Sequence, residues 1–288
     1  MAEDVEDDIG EEITDEDYGD APQYYLLSLA DREARFESPI NISLGFCKDL
    51  ILPHLCWYHF DKVPKKMKIT NTGHTLILSA KYYEERPYIA NGPLIGKYVF
   101  SQLHFHWGCN NMEGSEHTID GSALPGEMHV VTFKSCYLTQ ESALKEKDGV
   151  AVISYFFKLQ NAENPVLQRL LDAIPEIKDA NSSFKLEPWP LSNMLMEFDK
   201  DYMVYWGSVT ASGCHHFVLW FICRYPIGAS LEQMESFREL NDSHGKPLIR
   251  NFRPVNPLSD RHVFHVNPSE NKHSTLYPLA LSNKRQRV

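Results

Sequence analysis

Two short segments hold three histidines at spacings suited to metal chemistry: Gln102-Leu103-His104-Phe105-His106-Trp107-Gly108 and Glu127-Met128-His129-Val130-Val131. Both alternate polar and apolar residues with period two, the pattern of a β-strand. Successive strand side chains point to opposite faces, so His104 and His106 share one face while Leu103 and Phe105 take the other. A second strand lying beside the first would bring His129 to the same pocket, with Val131 next to it. Three neutral imidazoles around one point bind a divalent metal and leave a coordination position open, which is the arrangement of catalytic rather than structural zinc.

Two other readings compete. One is a pair of strand histidines satisfied by ordinary hydrogen bonds. The other is a cupin-type metal site, which also begins with His-x-His. That site needs a carboxylate ligand four or five residues further on, where this chain has Asn110 and Asn111.

The elements that must position these residues are short apolar runs. Stretches 67–70, 75–78, 98–107, 129–137, 150–157 and 217–224 read as strands of a large central sheet. Two helices are expected. Residues 165–173 carry Val166, Leu167, Leu170 and Leu171 at helical spacing, and residues 231–240 follow Ser230 with Gln233 three positions on, a capping-box signature. Composition alone implies a β-rich, mixed protein. With 288 residues, 43% of them hydrophobic, and no internal repeat or Gly/Ser-rich linker, one domain with a sizeable core is expected.

The formal charge of −11 is unevenly placed: residues 1–20 hold eleven acids and no Lys or Arg, leaving 28 acids against 28 bases elsewhere. Stretch 1–17 cannot bury enough apolar surface to order itself and reads as a solvated, disordered tail. A protein partner with a basic surface is its alternative use. The neutral body argues against nucleic acid, which requires a basic face. No apolar run approaches eighteen residues, so no membrane span is expected, and the first residues lack the basic start and apolar core of a secretory signal. The six cysteines show no Cys-x-x-Cys spacing.

Further landmarks surround the histidines in order: Ser38-Pro39-Ile40-Asn41-Ile42, Asn71-Thr72-Gly73-His74, Gly114-Ser115-Glu116-His117-Thr118, Gly207-Ser208-Val209-Thr210 and Asn251-Phe252-Arg253-Pro254. Together with the Phe-His-Trp-Gly run they make the chain resemble the α-class carbonic anhydrases from about Tyr18 to about Val266. The resemblance implies an α+β, β-dominated fold: a large, mostly antiparallel twisted sheet with peripheral helices and zinc at the base of a conical cleft. It divides the chain into the tail 1–17, a catalytic domain 18–270 and an extension 271–288. It also implies zinc (Zn2+) on His104, His106 and His129, and reversible hydration of CO2 to bicarbonate by zinc-bound hydroxide. Gln102 is then the outer partner of His104, Glu127 that of His129, and the main-chain carbonyl of Asn251 that of His106. Thr210 is the hydroxyl that accepts from the hydroxide, Glu116 the buried carboxylate that orients it, and His74 the proton shuttle. Val131, Val152, Val209 and Trp220 form the apolar wall where CO2 waits. A monomer in the cytoplasm is expected. The cysteine pair that secreted members often join is broken here, because Arg32 stands where the partner of Cys214 would be.

The chain also departs from that family. The loop after Thr210 reads Ala211-Ser212-Gly213 in place of Thr-Pro-Pro, His215 stands at a common rim leucine, Glu37 replaces a glutamine, and Thr72 and Ile77 replace polar amides. None of these touches the three histidines. Two functions follow from the resemblance: an active zinc hydro-lyase, or a non-catalytic carbonic anhydrase-related binding protein that uses its surface and acidic tail.

Overall fold

Period-two apolar patterning produces a strand-dominated protein, 37% strand against 17% helix. The computed structural model describes residues 22–31, 36–209 and 217–269. Its strands are β1 (Asn41–Ile42), β2 (Lys48–Leu50), β3 (Leu55–Tyr58), β4 (Lys66–Asn71), β5 (Leu76–Lys81), β6 (Tyr88–Asn91), β7 (Lys97–Trp107) and β8 (Thr118–Ile119). They continue with β9 (Gly126–Lys134), β10 (Val150–Leu159), β11 (Ser182–Leu186), β12 (Tyr202–Ser208), β13 (Phe217–Ile222), β14 (Ile227–Ala229) and β15 (Phe264–Val266). The helices are α1 (Pro22–Ser28), α2 (Gln140–Ala143), α3 (Pro165–Leu171) and α4 (Leu231–Ser236).

One large sheet runs in the order β11-β4-β5-β7-β9-β10-β13-β12-β15-β2, with β14 beside β10 and β3 reached through β6. Pairing is antiparallel except at β10/β13, β10/β14 and β15/β2. The expected β-dominated, mostly antiparallel sheet is therefore present. The central strands β7, β9 and β10 have apolar clusters on both faces. Leu103, Phe105 and Trp107 join the cluster on one face, and Val131, Val152 and Trp220 the cluster on the other.

A break in register decides which face the histidines take. The β7/β9 ladder shifts between Phe100 and Gln102, so Ser101 is an extra residue in β7. Before it, the core-facing residues are the even-numbered Tyr98 and Phe100; after it, they are the odd-numbered Leu103, Phe105 and Trp107. Such a bulge reverses the alternation that a regular strand would keep. Gln102, His104 and His106 are thereby turned away from the main core.

The helix ends follow their capping chemistry. At α4, Ser230 Oγ accepts from the Gln233 N–H and Gln233 Oε1 accepts from the Ser230 N–H, completing the capping box. At α3, Asn164 Oδ1 accepts from the N–H groups of Val166 and Leu167. Both helices are shorter than expected: α3 ends in a turn at 172–173 ahead of the 3-10 turn 174–177, and α4 passes directly into the 3-10 turn 237–239. The strand expected over 129–137 instead spans Gly126–Lys134. Residues 135–137 form a 3-10 turn, and Leu138, at φ 64°, turns the chain out of the sheet. Strand β12 carries no alternation signal because every residue of it is buried, as happens when both faces of a strand are covered. Helix α1, also unexpected, is anchored by Trp206 Nε1, which donates to the Leu26 carbonyl at 2.6 Å. Among the described residues no helix is long and apolar enough to cross a membrane.

Candidate metal centre

The register of β7 against β9 sets His104 directly opposite His129 and His106 opposite Glu127. The three imidazoles consequently meet on one face: one ring nitrogen from each lies within 4.8 Å of the others. His106 and His129 are buried, and His104 is half-buried.

The ring nitrogens that point outward are all engaged. His104 Nδ1 lies 3.1 Å from Gln102 Oε1, His106 Nδ1 lies 3.2 Å from the Asn251 carbonyl, and His129 Nε2 lies 2.6 Å from Glu127 Oε1. A carbonyl or carboxylate oxygen can only accept, so each of those nitrogens carries the ring hydrogen. In the neutral ring the lone pair then sits on Nε2 of His104, Nε2 of His106 and Nδ1 of His129. The last two are 3.1 Å apart. Lone pairs brought together with no hydrogen between them repel, and a cation is the partner that satisfies them. Burial, and then the proximity of the other rings, holds His104 and His106 well below the usual histidine value, so both offer neutral nitrogens at pH 7. Nitrogen ligands with hydrogen-bonded outer partners fit zinc.

Glu127 is the centre of a second buried chain. Its Oε1 takes His129 Nε2, His117 Nδ1 at 2.7 Å and Ser154 Oγ at 2.6 Å, while Oε2 takes the His117 N–H at 2.8 Å. Burial alone would raise its carboxyl, but the contacts with His117 and His129 outweigh that and hold it well below the carboxylate range. His117 Nε2 continues to the Tyr205 hydroxyl at 2.6 Å, and Tyr205 to Ser38 Oγ at 2.9 Å. Gly207 has no Cβ to collide with that serine oxygen. His117, Glu127 and His129 also lie close enough to suggest a metal group. Here the carboxylate already sits between the rings as the acceptor, so hydrogen bonding accounts for the cluster.

Glu116 is buried and faces Arg253. Its Oε1 accepts from the Arg253 N–H, Nε and Nη2 at 3.1 to 3.3 Å, and its Oε2 from Nη2 at 3.1 Å. Burial pushes this carboxyl up, against the pull of the neighbouring histidine and of Arg253. Thr210, its expected partner, lies outside the described residues, as do Arg32, Ala211-Ser212-Gly213, Cys214, His215, the tail 1–17 and the extension 271–288. Val152 pairs with Val131 on one side and Trp220 on the other, so the three form a wall across β9, β10 and β13. Val209 packs against that cluster, and the Trp220 ring stands 4.8 Å from the His129 ring. His74 is exposed in the turn between β4 and β5.

Residues 23–267 match the eukaryotic-type carbonic anhydrase family. The chain belongs to that family. Among its relatives, Carbonic anhydrase 7 of Mus musculus is 34% identical over 249 residues, covering 83% of this chain and 90% of the relative. "Carbonic anhydrase 5A, mitochondrial" of Homo sapiens is 37% identical over 201 residues, 68% of this chain. The chain spans 65% of that relative's length.

Four residues that bear on the centre carry no role that the sequence alone indicates: His117, Tyr205, Ser154 and Arg253. His117 and Arg253 stand inside the landmark segments 114–118 and 251–254, so a signal was there. Tyr205 and Ser154 sit in fully buried strand runs that give none. One consequence is measurable. Glu127→Ala should weaken zinc binding by ~10- to 100-fold, the usual effect of losing a ligand's outer partner, read by competition with a chromophoric chelator. An unchanged affinity would mean that Glu127 serves the buried chain alone.

Proposed function

We propose that the protein catalyses the reversible hydration of carbon dioxide to bicarbonate and a proton. The reading rests on three imidazole lone pairs that converge while the opposite nitrogen of each ring is hydrogen-bonded. His104, His106 and His129 would hold zinc. Zinc bound there supplies the Lewis acidity that makes water a nucleophile near neutral pH, an effect for which carbonic anhydrases are the standard example.

The other roles belong to the chain. Gln102, Glu127 and the Asn251 carbonyl hold the three rings in one tautomer and orientation. Val131, Val152, Val209 and Trp220 exclude water beside His129 and hold CO2, which has no strong hydrogen-bonding handle, by shape. Arg253 crowds Glu116 Oε1 with three donors and Oε2 with one. Oε2 keeps room for the hydrogen of Thr210, whose own oxygen can then only accept, which aims the attacking water. His74 carries the proton outward, acting as the general acid–base group that passes it to buffer. The free thiols of Cys47, Cys56, Cys109, Cys136 and Cys223 fit a reducing compartment, and we place the protein in the cytoplasm.

Zinc content and CO2 hydration measured on one purified sample test the reading. Full zinc with no hydration would assign the chain to the binding-protein alternative, with its surface and acidic tail as the working parts. The export step has its own test. His74→Ala should lower kcat in dilute buffer by ~10- to 100-fold, because buffer replaces part of what a positioned acid–base group contributes. The value of kcat/KM should change little, since CO2 attack precedes proton export, and imidazole buffer should restore part of the loss. Unchanged kcat in dilute buffer would show that protons leave by another route.

A further inference from the structure

We propose that the Asn251 side chain is a positioning residue for proton export, holding the turn that carries His74 against the strand that carries His104 and His106. This role rests on the hydration reading above, which uses only the main-chain carbonyl of Asn251.

All the polar atoms of Asn251 are engaged, and they bridge two elements. Nδ2 donates to the His74 carbonyl at 3.0 Å and to the Phe105 carbonyl at 2.9 Å, while Oδ1 accepts from the Trp107 N–H at 2.8 Å. The main-chain N–H donates to the Trp107 carbonyl at 3.1 Å, and the carbonyl faces His106 Nδ1 at 3.2 Å. Bonds to Phe105 and Trp107 lock Asn251 to β7 on both sides of His106. The remaining bond refers the main chain of His74 to that same stretch of strand. A planar amide with two donors and one acceptor meets this demand. A carboxylate would set an oxygen against two carbonyls.

The turn itself is built from short-range bonds. Thr72 Oγ1 accepts from the N–H groups of His74 at 3.3 Å and Thr75 at 3.0 Å, and donates to the Thr75 carbonyl at 2.9 Å. Asn71 Oδ1 accepts from the Gly73 N–H at 2.8 Å. Gly73, at φ +80°, leaves no room for a Cβ, which would lie 2.9 Å from the Ser243 main-chain nitrogen. These bonds make the turn a stiff unit, and Asn251 sets where that unit sits. The His74 ring is exposed, and it projects from a main chain whose place relative to His106 these bonds fix. Proton transfer falls steeply when a group is displaced by about an ångström, so the tether should show in export and not in CO2 attack.

The test compares the full-length zinc-loaded protein with Asn251→Ala, His74→Ala and the double variant. In Asn251→Ala, amide hydrogen exchange across 72–76 should quicken by about tenfold, the scale of one lost hydrogen bond. In dilute buffer kcat should fall more than kcat/KM, imidazole should restore it, and the substitution should add no further loss of kcat once His74 is Ala. Unchanged exchange overturns the tether. A loss that adds to that of His74→Ala, or that appears mainly in kcat/KM and zinc affinity, overturns the export role and shows Asn251 acting on the metal ligands through β7. Asn251→Asp, which keeps the acceptor for Trp107, serves if the alanine variant folds poorly. A parent without hydration activity defeats the functional reading and with it the export role, while exchange still decides the tether.

Discussion

His129→Ala should strip the protein of zinc at ordinary free-metal concentrations and reduce hydration to background. His129 is the point where the two polar systems of the site meet. Its Nδ1 lies 3.1 Å from His106 Nε2, and its Nε2 is held by Glu127 at 2.6 Å. Removing it leaves two nitrogens where zinc requires at least three protein ligands. The loss of affinity should exceed the ~100-fold upper range expected for an outer partner, because a bond to the metal itself is lost. The ring is also buried, with the Trp220 ring 4.8 Å away, so some stability is lost with its packing. A thermal melt must therefore accompany metal analysis and stopped-flow hydration. A folded variant that keeps full zinc and full activity would refute the ligand assignment.

Deletion of Ser101 should abolish the folded, metal-competent protein, although Ser101 touches neither metal nor substrate in this reading. The extra residue in β7 lets Tyr98 and Phe100 and then Leu103, Phe105 and Trp107 all face the main core. Without it, a regular strand must reverse one of the two halves. If the second half reverses, Gln102, His104 and His106 enter the core and three side chains with 0% exposure leave it. Each apolar side chain expelled costs about 2 kcal/mol, and each unsatisfied polar group buried costs a further ~1–3 kcal/mol. The sum competes with the whole stability of a typical domain, about 5–15 kcal/mol. Ser101→Gly, which keeps the residue count, should fold and bind zinc. Circular dichroism melts and zinc content of both variants check this. A deletion variant with a native melt would show that the faces of β7 are set by something other than the bulge.

Several parts of the centre are legible in the sequence because they are local. His104 and His106 share a face, as do Glu127 and His129, since strand backbone puts residues two apart on the same side. The capping box at Ser230 and Gln233 is local in the same sense. Strand β12 is not legible in this way, because its seven residues are all buried and full burial erases the alternation that marks a strand.

Readable without the structure are the chemical inventory and the short-range pairings: three imidazoles on two strands of alternating polar and apolar residues, a carboxylate beside one of them, and apolar positions nearby. Family landmarks extended that inventory to His74, Glu116 and Asn251. Tertiary structure alone decided that His129 stands across from His104, that the Asn251 amide spans from His74 to Phe105, and that Arg253 grips Glu116. It also decided through Ser101 which face of β7 the histidines occupy. The physical reason is distance along the chain. A period of two is a property of consecutive peptide units, whereas contacts between residues far apart in the chain exist only once strand order, register and one inserted residue have been chosen together by the packing of both faces of the sheet.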